Sequence, residues 1–581
     1  MPDIDLISAT SYDEGRLPSE SPADINSRKS RTGTSHATSK GHRMKKLRYA
    51  VVIPAVAGTM LAGFTPAFAG PEAAGQQPLN STNIPAKYAD QKLDWHKCTA
   101  SELPSAPPPG AENIECATYR APRNWYKTNE AIDLTIAVSR LAATSGKATA
   151  SVITNPGGPG APGRNFPARL RNQTKLRANQ EIIGLDPRGT GKSTNITCGN
   201  AIGTGSDLDP RDRSRANLNL ILDATKYAAD SCQVKSGELG PLINTAQTIR
   251  DIDLLRVLLG RDKINWVGYS AGTWMGAHYA QQFPTRTGRF LLDSSTEFTT
   301  TWQNSFDGQP LGFERRWRQD FLPWMGKYDK LYGFGKTGEA ARQTYEKVRF
   351  ALTQNPVEVD GVPVSANALD STIASYLYSK RNFPALADYL VNLKTLTEGT
   401  STQQQKSSAA QKVKAETVDG DGVIGPQPLF VPTDGDSYNA SFWTIPCNEG
   451  PWYGNRNSVI RQSQKLIDRD LPLLGAGWLI QPCIFWKNKP VDLPKLDGRG
   501  VPPVLIVQSV NDPATPIEGA TRAHRAFAGS RMITVTGEGD HGIYAGGNAG
   551  VDKVVEDFLV DGKVPNDQSL PGLPLPVPAG A

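Results

Sequence analysis

The sequence predicts an α/β protein: a doubly wound, mainly parallel sheet interrupted by an inserted, mostly helical cap domain. Three observations carry this expectation. Short apolar strands alternate with amphipathic helices through residues 150–292, and the same rhythm resumes at Val504. Between the two stretches lies sequence of another character, rich in Trp and Tyr and spaced for amphipathic helices, which reads as an insertion in mid-sheet.

Taken in chain order, residues 1–43 are polar, Ser-rich and patternless, and read as an N-terminal extension, with translation expected to begin at Met44. Residues 44–69 have the layout of a signal peptide. Met44–Arg48 (MKKLR) carries positive charge, Tyr49–Phe64 is almost uncharged and apolar, and Ala67-Phe68-Ala69 places small residues at a cleavage site. A membrane anchor is the alternative, but the apolar run is short, is broken by Pro54 and lacks stop-transfer charges, so stable membrane anchoring is not expected. Secretion is. Residues 70–83, rich in Gly, Pro and Gln, read as a linker or pro-segment.

The first part of the core spans 84–296. Val152–Thr154 and Glu181–Leu185 are apolar strands ending in Gly/Pro turns. Thr248–Leu259 places Ile249, Ile252, Leu255 and Leu259 on one helical face, with Gly260 as a stop signal. A strand at Lys263–Val267, a helix at Ala271–Phe283 stopped by Pro284, and a strand at Phe290–Leu292 complete this part. Residues 297–495 form the cap, with the Ser/Gln/Lys-rich Thr400–Thr417 read as an exposed loop. The core returns over 496–565 with a strand at Val504–Val510, a helix at Pro516–Phe527 and a strand at Met532–Val535. Residues 566–581 form a Pro-rich tail expected to be extended.

Composition sets bounds on function. With 581 residues, 38% hydrophobic and 21% charged, the chain has the make-up of a globular enzyme, and a formal charge of +6 is too weak to argue for nucleic acid. The six cysteines suit an oxidising compartment and offer three local pairs, Cys98 with Cys116, Cys198 with Cys232 and Cys447 with Cys483, although other connectivities are formally open. None has the Cys-x-x-Cys spacing of a zinc site, so no metal is expected.

Gly268-Tyr269-Ser270-Ala271-Gly272 follows a strand and opens a helix, the setting in which a nucleophilic serine stands clear of the backbone on a sharp turn. Such a serine needs a histidine base and an orienting carboxylate, in the chain order Ser, acid, His. Of the six histidines, His36 and His42 precede the mature chain and His96 precedes the sheet. His278 lies two turns into the helix behind Ser270, and His524 lies inside a helix. His541, in the glycine-flanked loop GEGDHGIYAGG after the last strand, is the candidate base. Asp512 follows the strand ending at Val510, one helix and one strand before His541, and is preferred as the acid over Asp540, whose adjacency to His541 leaves little room to turn back. The tetrahedral intermediate requires N–H donors. Asn155-Pro156-Gly157-Gly158-Pro159-Gly160 follows an early strand, so Gly157 or Gly158 together with Ala271 would form the oxyanion hole.

Two other motifs are set aside. GPGAPG over 158–163 matches a dinucleotide fingerprint, but Pro159 and Pro162 remove amides that a phosphate would use. GTGKST over 189–194 resembles the end of a P-loop, yet Asp186 stands where its first glycine must be.

NPGGPG, then Asp186-Pro187-Arg188-Gly189-Thr190-Gly191, then GYSAG, then Asp512 and His541, together resemble the prolyl aminopeptidase group of α/β-hydrolases, and more closely the secreted tripeptidyl aminopeptidases of filamentous soil bacteria. The likeness runs from about residue 90 to 565. It implies an α/β-hydrolase fold, peptide or protein N-termini as substrate, release of short peptides, no cofactor, and acidic cap residues that hold the substrate ammonium group. Glu449, beside Cys447, is the candidate for that last role; as a plain residue it equally reads as a solvated surface glutamate. Two positions depart from the pattern: Asn155 replaces a usual His, and Ala271 replaces a bulky aromatic. A secreted esterase or lipase with the same triad, and a non-catalytic binding protein on a hydrolase scaffold, are the rival readings. A monomer is expected.

Overall fold

The computed structural model describes residues 84–102, 109–359, 361–418 and 435–581. The expected extension 1–43, signal peptide 44–69 and linker 70–83 lie outside the described residues.

Twelve strands are described: β1 His96–Lys97, β2 Glu115–Pro122, β3 Asp133–Leu141, β4 Ala150–Asn155, β5 Gln180–Leu185, β6 Ile264–Tyr269, β7 Thr287–Asp293, β8 Val357–Val359, β9 Val362–Val364, β10 Val504–Ser509, β11 Arg531–Thr536 and β12 Gln568–Pro571. Ten of them make one sheet in the order β1-β2-β3-β5-β4-β6-β7-β10-β11-β12, while β8 and β9 form a separate hairpin in the cap. From β5 to β12 every neighbour is parallel; β1, β2 and β3 add an antiparallel edge. The central strands β5, β6 and β10 are buried at every residue, which is why they read as unbroken apolar runs rather than alternating ones.

Helices cover both faces. The helix Thr245–Leu258 starts one turn earlier than its apolar spacing predicted, because the Asn244 side chain accepts the Gln247 N–H and caps it. It ends where Gly260 takes a φ of +65°. On one face Ile252, Leu254 and Leu255 pack with Trp266 and Phe290; on the other, Val267, Leu291, Val507 and Ile533 pack with Val551, Val555 and Phe558. The order in which strands are added reverses around β4: β5 lies on one side and β6 on the other, all three running parallel. A parallel sheet opens its ligand crevice at such a point, and the NPGGPG loop and the GYSAG turn both emerge there.

Between β7 and β10 the described regular elements are helices apart from the β8–β9 hairpin. Phe313, Trp317, Phe321, Trp324, Phe383 and Leu390 build a cap core of their own. The helix Arg215–Lys235, not foreseen from sequence, joins cap to core by packing Leu218, Ile221 and Leu222 against Val459 and Leu479.

Two expectations are corrected. Thr400–Thr417 is not a loop, for Gln403–Val418 is a helix that buries Ala409 and Val413. Ala409 and Val413, one turn apart, seat a strip that is otherwise mostly polar. Nor is the Pro-rich tail merely extended. Its residues Gln568–Pro571 pair with β11 as a sheet edge, where Pro571 needs no outward partner. Beyond it Trp324 Nε1 donates to Pro576 O at 2.7 Å and Lys380 Nζ to Leu573 O at 2.9 Å. The disulfides are Cys98–Cys116, Cys198–Cys232 and Cys447–Cys483, the three local pairs.

Candidate active site

Ser270 sits between β6 and the helix Ala271–Gln282 with φ 54° and ψ −126°. A non-glycine residue in that region is strained by about 1–3 kcal/mol and persists only where its surroundings dictate it. Here the two flanking glycines are sterically required. A Cβ on Gly268 would run into Trp266 Nε1 and Gly272 O, and one on Gly272 would lie 2.7 Å from Asn155 O. Strand and helix thus close tightly enough to push Ser270 into the turn.

The NPGGPG loop lies directly against this serine. A Cβ on Gly157 would come within 2.6 Å of Tyr269 O and 2.8 Å of Ser270 Cβ, and both Gly157 and Gly158 hold φ at +100°. Asn155 Oδ1 accepts the Gly157 N–H at 2.9 Å, so that amide is already engaged. The residue that departs from the family pattern is therefore the one that folds the loop back on itself. Beneath the loop, the Asp186 carboxylate accepts the Gly163 and Arg164 N–H groups at 2.9 and 3.0 Å and the Arg164 Nε–H at 2.8 Å. Arg188, fully buried, pairs with Asp251 at 2.6 Å. The Asp-Pro-Arg-Gly-Thr-Gly motif is in this way the support of the loop.

The structure brings Asp512 and His541 together. His541 Nδ1 lies 3.0 Å from both carboxylate oxygens of Asp512, and Thr515 Oγ1 lies 3.3 Å from the same nitrogen. Asp512 is fully buried and held by the Ala514 and Thr515 N–H groups at 3.0 and 2.9 Å. A hydrogen bond from Nδ1–H to this carboxylate fixes the tautomer with the proton there, leaving the lone pair on Nε2. His541 Nε2 is buried and has no hydrogen-bond partner among the described residues. The backbone N–H of His541 donates to Tyr378 O at 2.8 Å, and the Tyr378 ring stands edge-on to the imidazole. Asp540, the rival acid, turns away: it accepts Arg316 Nη2–H and the Lys380 N–H, both at 2.6 Å. His278 is buried against Trp274, and burial pushes its imidazole down to about 3, so it stays neutral. His524 lies beside Ser530 and Asp567.

Beside Ala271 and Gly157 lies a small hollow of about 10 Å³, room for a single water-sized group, walled by Trp274, Trp302, Ile445 and Thr245. Glu449 stands behind that wall. It is 1% exposed, accepts Trp302 Nε1–H at 2.8 Å and Trp274 Nε1–H at 3.1 Å on Oε2, and takes the Thr245 N–H on Oε1. Burial raises its carboxyl above the ordinary range, against those three donors. The surface-glutamate reading is therefore wrong. Glu449, the candidate for holding the substrate ammonium, follows the helix Ser437–Cys447 and the Cys447–Cys483 bridge and has both carboxylate oxygens engaged by these donors.

Sequence reasoning missed Thr515, Tyr378, Trp274, Trp302 and Asp293. Thr515 had a usable signal, since a threonine three residues past a strand-end aspartate can cap the same turn. The others are assembled from distant segments and had none. Among the described residues no cluster of His, Cys, Asp and Glu could hold a metal ion, and no helix is long and apolar enough to cross a membrane.

Comparison with known proteins places the chain among α/β-hydrolases. A family model described as TAP-like protein matches residues 471–570, and one described as alpha/beta hydrolase fold matches residues 150–329. A tripeptidyl aminopeptidase of Streptomyces lividans is 30% identical over 492 residues, covering 82% of this chain and 86% of its own. The serine protease Hip1 of Mycobacterium tuberculosis is 26% identical over 512 residues, covering 83% and 92%. A carboxylesterase B of the same organism is 26% identical over 532 residues, covering 87% and 95%.

Proposed function

The chain belongs to the tripeptidyl-aminopeptidase-like family of α/β-hydrolases and is a serine hydrolase of its peptidase class, and from that premise we propose that it is exported and releases short peptides, typically tripeptides, from free N-termini. Ser270 is the nucleophile, His541 the base and Asp512 the residue that orients it. His541 Nε2 takes the Ser270 proton as Oγ attacks the scissile carbonyl, and the protonated imidazole then gives that proton to the leaving amine. The Gly158 and Ala271 N–H groups receive the oxyanion, while Gly157 shapes the turn. Water, activated by the same imidazole, releases the peptide from the acyl-enzyme.

One observation carries this reading: an imidazole pinned through Nδ1 by a buried aspartate, with its other nitrogen buried and unpartnered. Tripeptide release draws on the name of the Streptomyces relative, and export on the three disulfides. Glu449 acts from behind the indole wall, holding Trp274 and Trp302 in place beside Ala271.

The carboxylesterase relative favours one alternative, an esterase with the same catalytic groups. Chromogenic tripeptide substrates with a free and with an acetylated N-terminus separate the two. An aminopeptidase cleaves only the free form, and Ser270→Ala abolishes that turnover; equal cleavage of both forms overturns the exopeptidase assignment.

A further inference from the structure

Three non-glycine residues with positive φ converge on one place: Ser270 at 54°, Ser294 at 53° and Ala545 at 59°. Only two others, Asn200 and Asp470, occur among the described residues. The three belong to the nucleophile turn, the end of β7 and the loop that carries His541. Asp293, at the last position of β7, touches all three segments. Its backbone oxygen accepts the Ser270 N–H at 3.1 Å. Its carboxylate accepts the Ile543 N–H at 3.1 Å on both oxygens and the Tyr544 N–H at 2.7 Å. Next to it Ser294 Oγ donates to Asp293 Oδ1 at 3.2 Å and accepts the Gly542 N–H at 2.7 Å.

Three consecutive amides after His541 are thus held by two consecutive side chains, and the same short segment anchors the backbone of Ser270. A fully buried carboxylate is costly to keep, and nothing in the proton-transfer steps uses this one. The dipeptide Asp293-Ser294 ties the serine turn to the histidine loop through bonds that fix distance and orientation together.

We propose that Asp293 is a positioning residue of the catalytic machinery, which holds the His541 loop in register with Ser270 without touching substrate. The inference rests on the reading of Ser270 and His541 as nucleophile and base. In Asp293→Asn one acceptor oxygen becomes an NH₂ facing backbone N–H groups, so the loop loses part of its anchorage while side-chain volume is kept.

The test is the rate at which a fluorophosphonate probe labels Ser270, measured with kcat and KM for a free tripeptide anilide and with the thermal midpoint. For Asp293→Asn we expect kcat and labelling rate to fall together by tenfold or more, with KM within about threefold and the midpoint within a few degrees of wild type. Ser294→Ala, which deletes the Gly542 contact and the bond to Asp293 Oδ1 while leaving the Asp293 carboxylate in place, is expected to lower both rates severalfold, and it carries the test if Asp293→Asn does not accumulate. Rates within twofold of wild type in the folded variants, or losses that merely follow the unfolded fraction, overturn the inference. A wild-type chain that the probe fails to label overturns the nucleophile assignment and this inference with it. Normal wild-type labelling beside unaffected variants removes the inference alone.

Discussion

Glu449 Oε2 accepts the Trp302 indole N–H at 2.8 Å, and Trp274, stacked on Trp302 with ring centroids 4.1 Å apart, donates to the same oxygen at 3.1 Å. One buried carboxylate therefore sets the orientation of two rings that face the small hollow beside Ala271. In Glu449→Gln an amide NH₂ competes with those donors for the space. KM for a free-amine tripeptide anilide is expected to rise tenfold or more, with a smaller change in the rate of fluorophosphonate labelling, because the wall moves and the nucleophile does not. Steady-state kinetics with both reagents measure the split, and an unchanged KM refutes the role.

Asp512 and Asp540 make a matched pair for testing the acid. Asp512→Asn should lower kcat by about 10³–10⁴ with little change in KM, since the amide no longer fixes the imidazole tautomer. Asp540→Asn should leave kcat within tenfold and instead lower the thermal midpoint, because Arg316 loses a buried partner. Reversed outcomes would reassign the acid.

Gly157→Ala places a methyl group 2.6 Å from Tyr269 O and 2.8 Å from Ser270 Cβ on a backbone with φ +100°. Both the clash and the conformation oppose it. The expected result is a loss of kcat of at least a hundredfold in a protein that still folds, checked by kinetics alongside circular dichroism.

Burial pushes the Asp293 carboxyl up to about 6. Its neighbours work the other way: the Ile543 and Tyr544 N–H groups and the Arg169 guanidinium favour the ionised form, and Tyr269 faces both Arg169 and Asp293. Because the folded value lies above the unfolded one, the native state holds the extra proton, and this term stabilises at low pH and is lost as pH rises through about 6. Wild type should therefore lose up to about 3 kcal/mol relative to Asp293→Asn between pH 4 and pH 7. Urea unfolding of both proteins at the two pH values reads the difference, in which other titrating groups cancel. A constant gap contradicts the prediction.

The strands that carry Ser270 and Asp512 were legible because both faces of a parallel sheet are covered, so each strand is a short apolar run with a turn at its end. His541 was legible by elimination among few histidines. The antiparallel strands β2 and β3 were not, since their apolar positions mix with exposed ones, and neither was β12, which ends in Pro571 and opens a Pro-rich tail. The polar helix Gln403–Val418 carried too few apolar residues to show a period.

The amino-acid order alone determined the fold class; it offered the serine turn, three local cysteine pairs, one histidine and one aspartate as candidates. These depend on short-range pattern: which residues precede a turn, and which follow a strand. Tertiary structure alone decided that Asn155 engages the Gly157 amide, that Glu449 faces inward behind two indoles, and that Asp293 binds the loop bearing His541. Glu449 meets Trp302 across 147 residues of sequence and Asp293 meets Tyr544 across 251, and no local period records a contact between segments joined only by folding.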